Sequence, residues 1–390
     1  MAKSKKYQRY EHYLLRGKLK KKGFERWRYV FTGFNRETND TRAFFIEMIM
    51  VNPAVSPSEL VIAQKSRPKI NEDDLQYALV GTEPAKNIGV EQGVQPSYVL
   101  IKAGCYGNNA RQHNKFFPAK ELNWVKAEKL FKVGSCLFGS DELYGSVIVG
   151  ERELRAQPEM LCSVGAIDWN LHFEQNIQTP PLYKKKGSLW IASGAKALFS
   201  GTVHMFGLEY TVMPKKSFGY IERSWGAQYA NPVFHISSSN LISSITGQPL
   251  FNSCFTLSGE YDGQLRAFVK VENTIFPVNK RSLFKKKNAE LHSCIQMPTD
   301  ADGEKLHWTV SIHKKRMVID IDIFCKANEM IVRKYELPEG GRNLLEILGG
   351  GTGFGDIRIY KKIGKTLELI EDARIANALC EFGHIADADE

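Results

Sequence analysis

The chain has 390 residues, of which 43% are apolar and 25% charged, and its formal net charge is +10. This length exceeds that of one ordinary β domain and predicts two domains or two sheets, with enough apolar residues for a sizeable core. No apolar run approaches the ~20 residues that a membrane-spanning helix needs. No apolar stretch follows the basic N-terminus, as a secretory signal would require.

The positive charge is concentrated at the N-terminus. Residues 1–28 carry eleven Lys or Arg and two Glu. The remaining 362 residues carry 42 Lys or Arg and 41 Asp or Glu, so their charges nearly cancel. A nucleic-acid-binding body is normally basic over one face, so no nucleic-acid partner is expected. In residues 1–28 the basic side chains alternate with Tyr7, Tyr10 and Tyr13, as in helices that lie on an anionic membrane surface. We favour the alternative, a short solvated basic arm, over this peripheral membrane contact.

Seven cysteines are present at wide spacings, with no Cys-x-x-Cys pair. This usage is typical of reduced thiols in a cytoplasmic protein. The histidines form no His-x-x-x-His pair, and no ligands cluster at zinc spacing. The sequence therefore predicts neither a metal site nor a cofactor, and it leaves the oligomeric state open.

The first half of the chain shows mostly a two-residue apolar period. Trp27–Phe34 and Thr41–Val51 are predicted to form a strand pair around a turn at Asn35–Asp40. Residues 53–97 are predicted to be loops with one short helix near Asp73–Leu79. Further strands are expected at Ser97–Ala103, Leu122–Phe131, Tyr144–Val149 and Met160–Phe173.

A change in composition at Pro180, Pro181 and the Lys184–Lys186 run marks the predicted boundary. The second half repeats the strand pattern, and a helix is predicted only at Glu371–Glu381. Many short strands favour sandwiches or barrels. We expect a basic arm at 1–28, a first β-barrel-like half at 29–180 and a second at 181–390 that ends in the C-terminal helix. The similarity of Gly23–Trp27 to Gly219–Trp225 fits two such halves.

Two glycine motifs resemble nucleotide-binding loops, but their glycines do not have the spacing that such loops require. Gly364-Lys365-Thr366 lacks the earlier glycine of a phosphate-binding loop, since Ile359 occupies that position. The run Gly349–Gly355 misses the dinucleotide spacing and leads into an alternating strand. We interpret that run as a turn or bulge whose backbone packs close to a neighbour.

The segment Ser217–Asn240 has the most unusual pattern. By strand alternation, Tyr220, Glu222 and Ser224 share one face, and Arg223 points to the other. Polar side chains inside a barrel would line a cavity, while strand alternation equally allows them to face water. Glu222 and Arg223 also admit a purely structural interpretation, as an ion pair at the barrel rim.

Gly219–Gly226, followed by Asn231-Pro232 and Ile236–Leu241, resembles the signature of the tocopherol-cyclase-like family. The opening Gly23–Tyr29 and the late Gly349–Gly355 turn resemble other segments of that family. Three departures affect the site, and the first is that the family's opening Gly-Trp-Tyr is Arg26-Trp27-Arg28 here. The family's acidic-Lys pair is Glu-Arg here, and its Trp-x-Trp is replaced around Phe234 and His235.

The resemblance implies two consecutive lipocalin-like antiparallel β-barrel halves with an apolar cavity and little helix. It also implies cofactor-independent cyclisation of a prenylated or lipidic small molecule, begun by protonation of an alkene. Such an acid must stay neutral, which burial in an apolar pocket can achieve, and aromatic faces would stabilise the cation by ~1–2 kcal/mol each. The catalytic candidates are Glu222, Arg223 and Trp225. The substrate-binding candidates are Trp27, Tyr29, Glu25, Tyr220, Phe234, His235, Ser237 and Asn240. The alternative is a non-catalytic protein of the same fold that binds a hydrophobic ligand.

Overall fold

The computed structural model describes residues 15–66, 94–125, 130–155, 162–185, 188–261, 263–276, 289–301, 303–341 and 343–387. Within these ranges the chain is mostly β, as predicted, and all strand pairs are antiparallel. One short α-helix, α1, covers Glu151–Arg155. Short 3-10 helices lie at Gly17–Lys20, Ala63–Ser66, Ala119–Glu121, Pro214–Lys216 and Ala327–Glu329. The short helix predicted near Asp73–Leu79 lies outside the described residues.

The first sheet is built from the strands between residues 24 and 226. They are β1 Phe24–Phe34, β2 Thr41–Val51, β3 Tyr98–Cys105, β4 Arg111–Phe117, β5 Asn123–Val125, β6 Leu130–Val133, β7 Cys136–Phe138, β8 Glu142–Val149, β9 Gly165–Ile177, β10 Tyr183–Lys185, β11 Ser188–Met205, β12 Leu208–Val212 and β13 Gly219–Gly226. Their order is β4-β3-β2-β1-β12-β11-β9-β8-β7-β6-β5, with β10 beside β11 and β13 between β1 and β11.

The second sheet uses the strands between residues 233 and 387. They are β14 Val233–Ser238, β15 Asn240–Ser243, β16 Cys254–Tyr261, β17 Gln264–Val271, β18 Thr274–Phe276, β19 Ala289–Gln296, β20 Lys305–His313, β21 Met317–Lys326, β22 Ile331–Glu336, β23 Asn343–Ile363 and β24 Thr366–Asp387. Their order is β18-β17-β16-β14-β24-β23-β21-β20-β19, with β15 beside β24 and β22 beside β23.

The first sheet curves around its own apolar core. The predicted hairpin is present, and β1 pairs with β2 from Phe24↔Val51 to Phe34↔Thr41. Trp27 of β1 packs against Phe131 of β6, with ring centroids 5.1 Å apart, although these strands lie far apart in the sheet order. Since alternate side chains of β1 point inward, the hairpin supplies aromatic residues to this core.

The division of the chain differs from the predicted boundary at 180/181. Strands β11–β13 pair with β1 and β9, so they complete the first sheet rather than begin the second. The sheets divide between Gly226 and Val233. The two similar segments Gly23–Trp27 and Gly219–Trp225 are paired neighbours in one sheet, not counterparts in two halves. Strand β1 begins at Phe24, inside the predicted arm, and residues 1–14 of that arm are outside the described ranges.

The predicted C-terminal helix is wrong. Residues 371–381 belong to β24, which pairs with β14 and with β23. The apolar spacing of Ile375, Ala378 and Leu379 suits a helix, but pairing on both sides satisfies the backbone as a strand. Tertiary pairing therefore decides the conformation of this segment.

The glycine run Gly349–Gly355 lies inside β23, where the register with β24 shifts. A Cβ at Gly351 would lie 2.6 Å from the Tyr106 ring and 3.1 Å from Ala43, both in the first-sheet half. The predicted close backbone approach is thus confirmed. The run brings β23 against the first half of the molecule.

The two sheets share a buried interface, called here the junction. One apolar cluster of the junction joins Phe45 and Tyr106 to Cys254 and Leu379, and another joins Ile49 to Tyr335. Side chains of β1, β2 and β13 that point away from the first core therefore meet the second sheet. This face contains the charged residues described next.

Candidate functional site

Glu222 lies at the centre of the junction and is fully buried. Strand pairing places it directly opposite Arg28, whose Nη2 lies 2.7 Å from Glu222 Oε1. Arg26 Nη2 donates to the same oxygen at 2.9 Å. Tyr220 Oη and Trp190 Nε1 donate to Glu222 Oε2 at 2.8 and 2.9 Å. Four side chains of the first sheet thus hold one carboxylate.

The second sheet completes this group of charges. Arg28 Nη1 donates to Glu381 Oε1 at 2.5 Å, and Arg333 also pairs with Glu381. Arg333 Nη1 and Tyr335 Oη donate to Glu47 at 2.7 and 2.8 Å. We call Arg26, Arg28, Glu47, Glu222, Arg333 and Glu381 the junction charge cluster.

The cluster is held in its charged form. Burial raises the pKa of Glu222, but the charges of Arg28 and Arg26 outweigh burial and hold the pKa at about 2. Burial likewise raises the pKa of Glu381, yet Arg28 and Arg333 bring it well below its ordinary value. A carboxyl group with this pKa is ionised at neutral pH. The ion pairs with Arg28 and Arg26 thus favour the ionised form of Glu222 over the neutral acid that alkene protonation requires.

Arg223 occupies the opposite face of β13, as alternation predicts. Its guanidinium carbon lies 3.5 Å from the centroid of the Trp27 ring and 6.0 Å from that of Trp225. It also pairs with the buried carboxylate of Glu25, which accepts from Trp27 Nε1 at 3.0 Å. The cation on the Trp27 face is thus a side chain of the protein. Arg223 does not pair with Glu222.

The other predicted substrate-binding residues fall in different environments. Tyr29 packs in the first core against Phe173, and Phe234 faces the second core. His235 faces the junction, and its Nδ1 lies 3.9 Å from Glu222 Oε2. Burial lowers the pKa of His235 to about 4, which keeps the imidazole neutral at neutral pH.

Buried polar groups continue along the face of β14 that contains His235. Both ring nitrogens of His235 and the hydroxyls of Ser237 and Ser239 have no hydrogen-bond partner among the described residues. These alternate residues span ~13 Å of extended chain. Each unpaired buried polar group costs ~1–3 kcal/mol, so water or a ligand is the expected partner.

This row of polar groups ends at a cavity between the sheets, which we call the junction cavity. Its volume is about 340 Å³. Most of its wall is apolar, formed by β11, by the 3-10 segment Pro214–Lys216 and by the chain from 239 to 251. The lining residues are Asn176, Lys196, Ala197, Leu198, Pro214, Lys215, Phe218, Ser239, Asn240, Leu241, Pro249, Leu250 and Phe251.

Of the predicted site residues, Asn240 lines the junction cavity, and its Nδ2 donates to Asn377 Oδ1 at 2.7 Å. The sequence analysis missed Lys196 and Lys215 of the cavity, and Arg333 and Glu381 of the charge cluster. Glu47 did give a signal, because it interrupts the apolar strand Phe44–Val51. A lone carboxylate in a buried strand requires a buried partner.

Groups of His, Cys, Asp and Glu arranged to hold a metal ion are absent from the described part of the chain. In the same residues, the search for helices long and apolar enough to span a membrane returned no candidate.

Comparison with known proteins gives distant likenesses in structure alone. No family model and no curated protein matches the chain. It is similar to kievitone hydratase from Nectria haematococca, with 10% identity over 94% of this chain and 90% of that one, at a TM-score of 0.43. It is also similar to a protein of Nitrosomonas europaea provisionally named AttH. The identity is 10%, the match covers 92% of this chain and 91% of that one, and the TM-score is 0.39. TM-scores below 0.5 are too low for either likeness to bear on activity.

Proposed function

We propose that this chain binds a hydrophobic small molecule in the junction cavity without transforming it. The observation that supports the proposal is the cavity of about 340 Å³ with a mainly apolar wall. Pockets for small molecules typically measure ~300–1,000 Å³ and combine apolar walls with a few polar groups. Lys196 and Asn240 of the wall supply such polar groups.

Two observations weigh against the cyclase activity implied by the family resemblance. The acid that it requires is an ionised carboxylate, because Arg28 and Arg26 bind Glu222. The aromatic face that would stabilise a substrate cation is covered by Arg223. Contact of residues 1–28 with a membrane surface and a cytoplasmic location remain predictions.

Titration with the uncharged solvatochromic dye Nile red tests the proposal. We expect saturable binding with a stoichiometry of one. Leu198→Trp fills the cavity from β11 and is expected to weaken binding at least tenfold. Leu367→Trp, at a half-exposed position on β24 away from the cavity, is the matched control and is expected to bind as the wild type does.

The absence of saturable binding would overturn the proposal. Equal affinity of Leu198→Trp and the wild type would also overturn it, because the dye would then occupy another site. Circular dichroism and the urea midpoint of each variant show whether the fold is retained.

A further inference from the structure

The charged residues that line the junction cavity are all cationic. Lys196 and Lys215 line it, and none of the thirteen lining residues is acidic. A cavity that has a mainly apolar wall, and whose charged lining residues are all cationic, suits a ligand that carries a negative charge.

Lys196 is anchored but not neutralised at this position. Its Nζ donates to the backbone carbonyl of Phe251 at 2.6 Å, which directs the ammonium toward the cavity wall. Glu272 is the acidic residue that lies close enough to interact electrostatically with Lys196. That carboxylate already accepts from the Asn252 N–H and the Ser253 hydroxyl, both at 3.1 Å. The ammonium thus retains the capacity to pair with a ligand anion.

Ser239 also lines the cavity, and its side chain is 6% exposed. Its hydroxyl oxygen is buried below the wall and has no hydrogen-bond partner among the described residues. The ammonium groups of Lys196 and Lys215 are therefore the charged donors that a ligand anion meets in this cavity.

We infer that the ligand of the junction cavity is a single-chain aliphatic carboxylate. Its carboxylate pairs with Lys196 and Lys215, and its chain lies against Leu198, Leu250 and the other apolar residues of the wall. This inference rests on the proposed function, since it names the chemical class of the ligand that the cavity takes. The volume, near the lower end of the range for small-molecule sites, fits one chain rather than two.

Isothermal titration of the full chain with dodecanoate and dodecan-1-ol, below their critical concentrations, tests the inference. These probes differ in the head group and share the chain. We expect dodecanoate to bind at least tenfold more tightly. Lys196→Met and Lys215→Met are expected to reduce that preference to less than threefold.

Lys216→Met is the matched control, because Lys216 is an exposed neighbour of Lys215 that does not line the cavity. It is expected to retain the full preference. Equal binding of both probes by the wild type, or an unchanged preference in Lys196→Met, would overturn the carboxylate inference and leave the hydrophobic-ligand proposal standing. Failure of both probes to bind would overturn both.

Discussion

Arg28 of β1 and Glu381 of β24 form a 2.5 Å ion pair across the junction, although 353 residues separate them in the chain. Both side chains are buried. Removing water from two charges is costly, and attraction repays that cost only where further bonds satisfy each group. Arg333 also pairs with Glu381, and the Glu222 carboxylate lies 2.7 Å from Arg28 Nη2, which forms a second ion pair for Arg28. The pair thus fixes how the two sheets face each other.

Glu381→Gln is expected to destabilise the chain by ~3–5 kcal/mol, because it leaves Arg28 and Arg333 buried with less negative charge. The urea midpoint measures the loss. Glu346→Gln on β23 is the control, since Glu346 pairs with Lys334 near the surface and such pairs contribute ~0–1 kcal/mol. Equal midpoints for the two variants would show that the junction charge cluster does not stabilise the fold.

His235→Phe is expected to flatten the acid side of the stability profile. The folded-state pKa of about 4 lies below the ordinary value of 6.5, so the unfolded chain binds the proton first. Stability is therefore lost as pH falls from 6.5 to 4, by up to ~1.4 kcal/mol per pH unit for one group. Urea midpoints at intervals of half a pH unit compare the variant with the wild type. Parallel profiles across this window would contradict a buried neutral imidazole.

Lys102→Met is expected to stabilise the chain at pH 7. Lys102 is buried, its Nζ has no hydrogen-bond partner among the described residues, and burial lowers its pKa from 10.5 to about 8. Keeping the ammonium protonated at pH 7 therefore costs ~3 kcal/mol. Wild-type stability rises from pH 8 to 10.5, because the unfolded chain binds more protons there. The advantage of the variant is thus expected to shrink over that window.

Thermal unfolding at pH 7 and pH 10 measures this difference. Lys115→Met on the neighbouring strand β4 is the control, since Lys115 is partly exposed and pairs with Glu153. A Lys102→Met variant that is less stable than the wild type at pH 7 would show that Lys102 has a partner that compensates for its burial.

Arg223→Met is expected to cost ~3–5 kcal/mol, because Glu25 loses its buried cationic partner. Arg223→Lys is expected to recover less than half of this loss. Lysine keeps the charge but lacks the planar group that stacks 3.5 Å from the Trp27 ring. Urea unfolding measures both variants. Full recovery by lysine would mean that charge alone, not stacking, holds Arg223 in place.

Much of the local structure follows from the sequence. The β1–β2 hairpin was predicted because turn formers at Asn35–Asp40 separate two strands of alternating pattern. Alternation also placed Glu222 and Arg223 on opposite faces of β13, and the spacing of Gly349–Gly355 excluded a nucleotide loop. The mostly β fold in two parts was predicted from the same periodicity.

Long-range pairing decided the rest. Alternation shows which residues share a face of a strand, but not which strand that face meets. The family resemblance implied a neutral Glu222 in an apolar pocket, whereas the fold surrounds Glu222 with Arg26 and Arg28, which favour its ionised form. The same limit applies to Glu381, predicted on a helix and found on β24 opposite Arg28. The sequence by itself determined most of the strands and their faces. Only the tertiary structure determined the strand at residues 371–381, the charge on Glu222 and the junction cavity, because all three arise where residues distant in the chain come together.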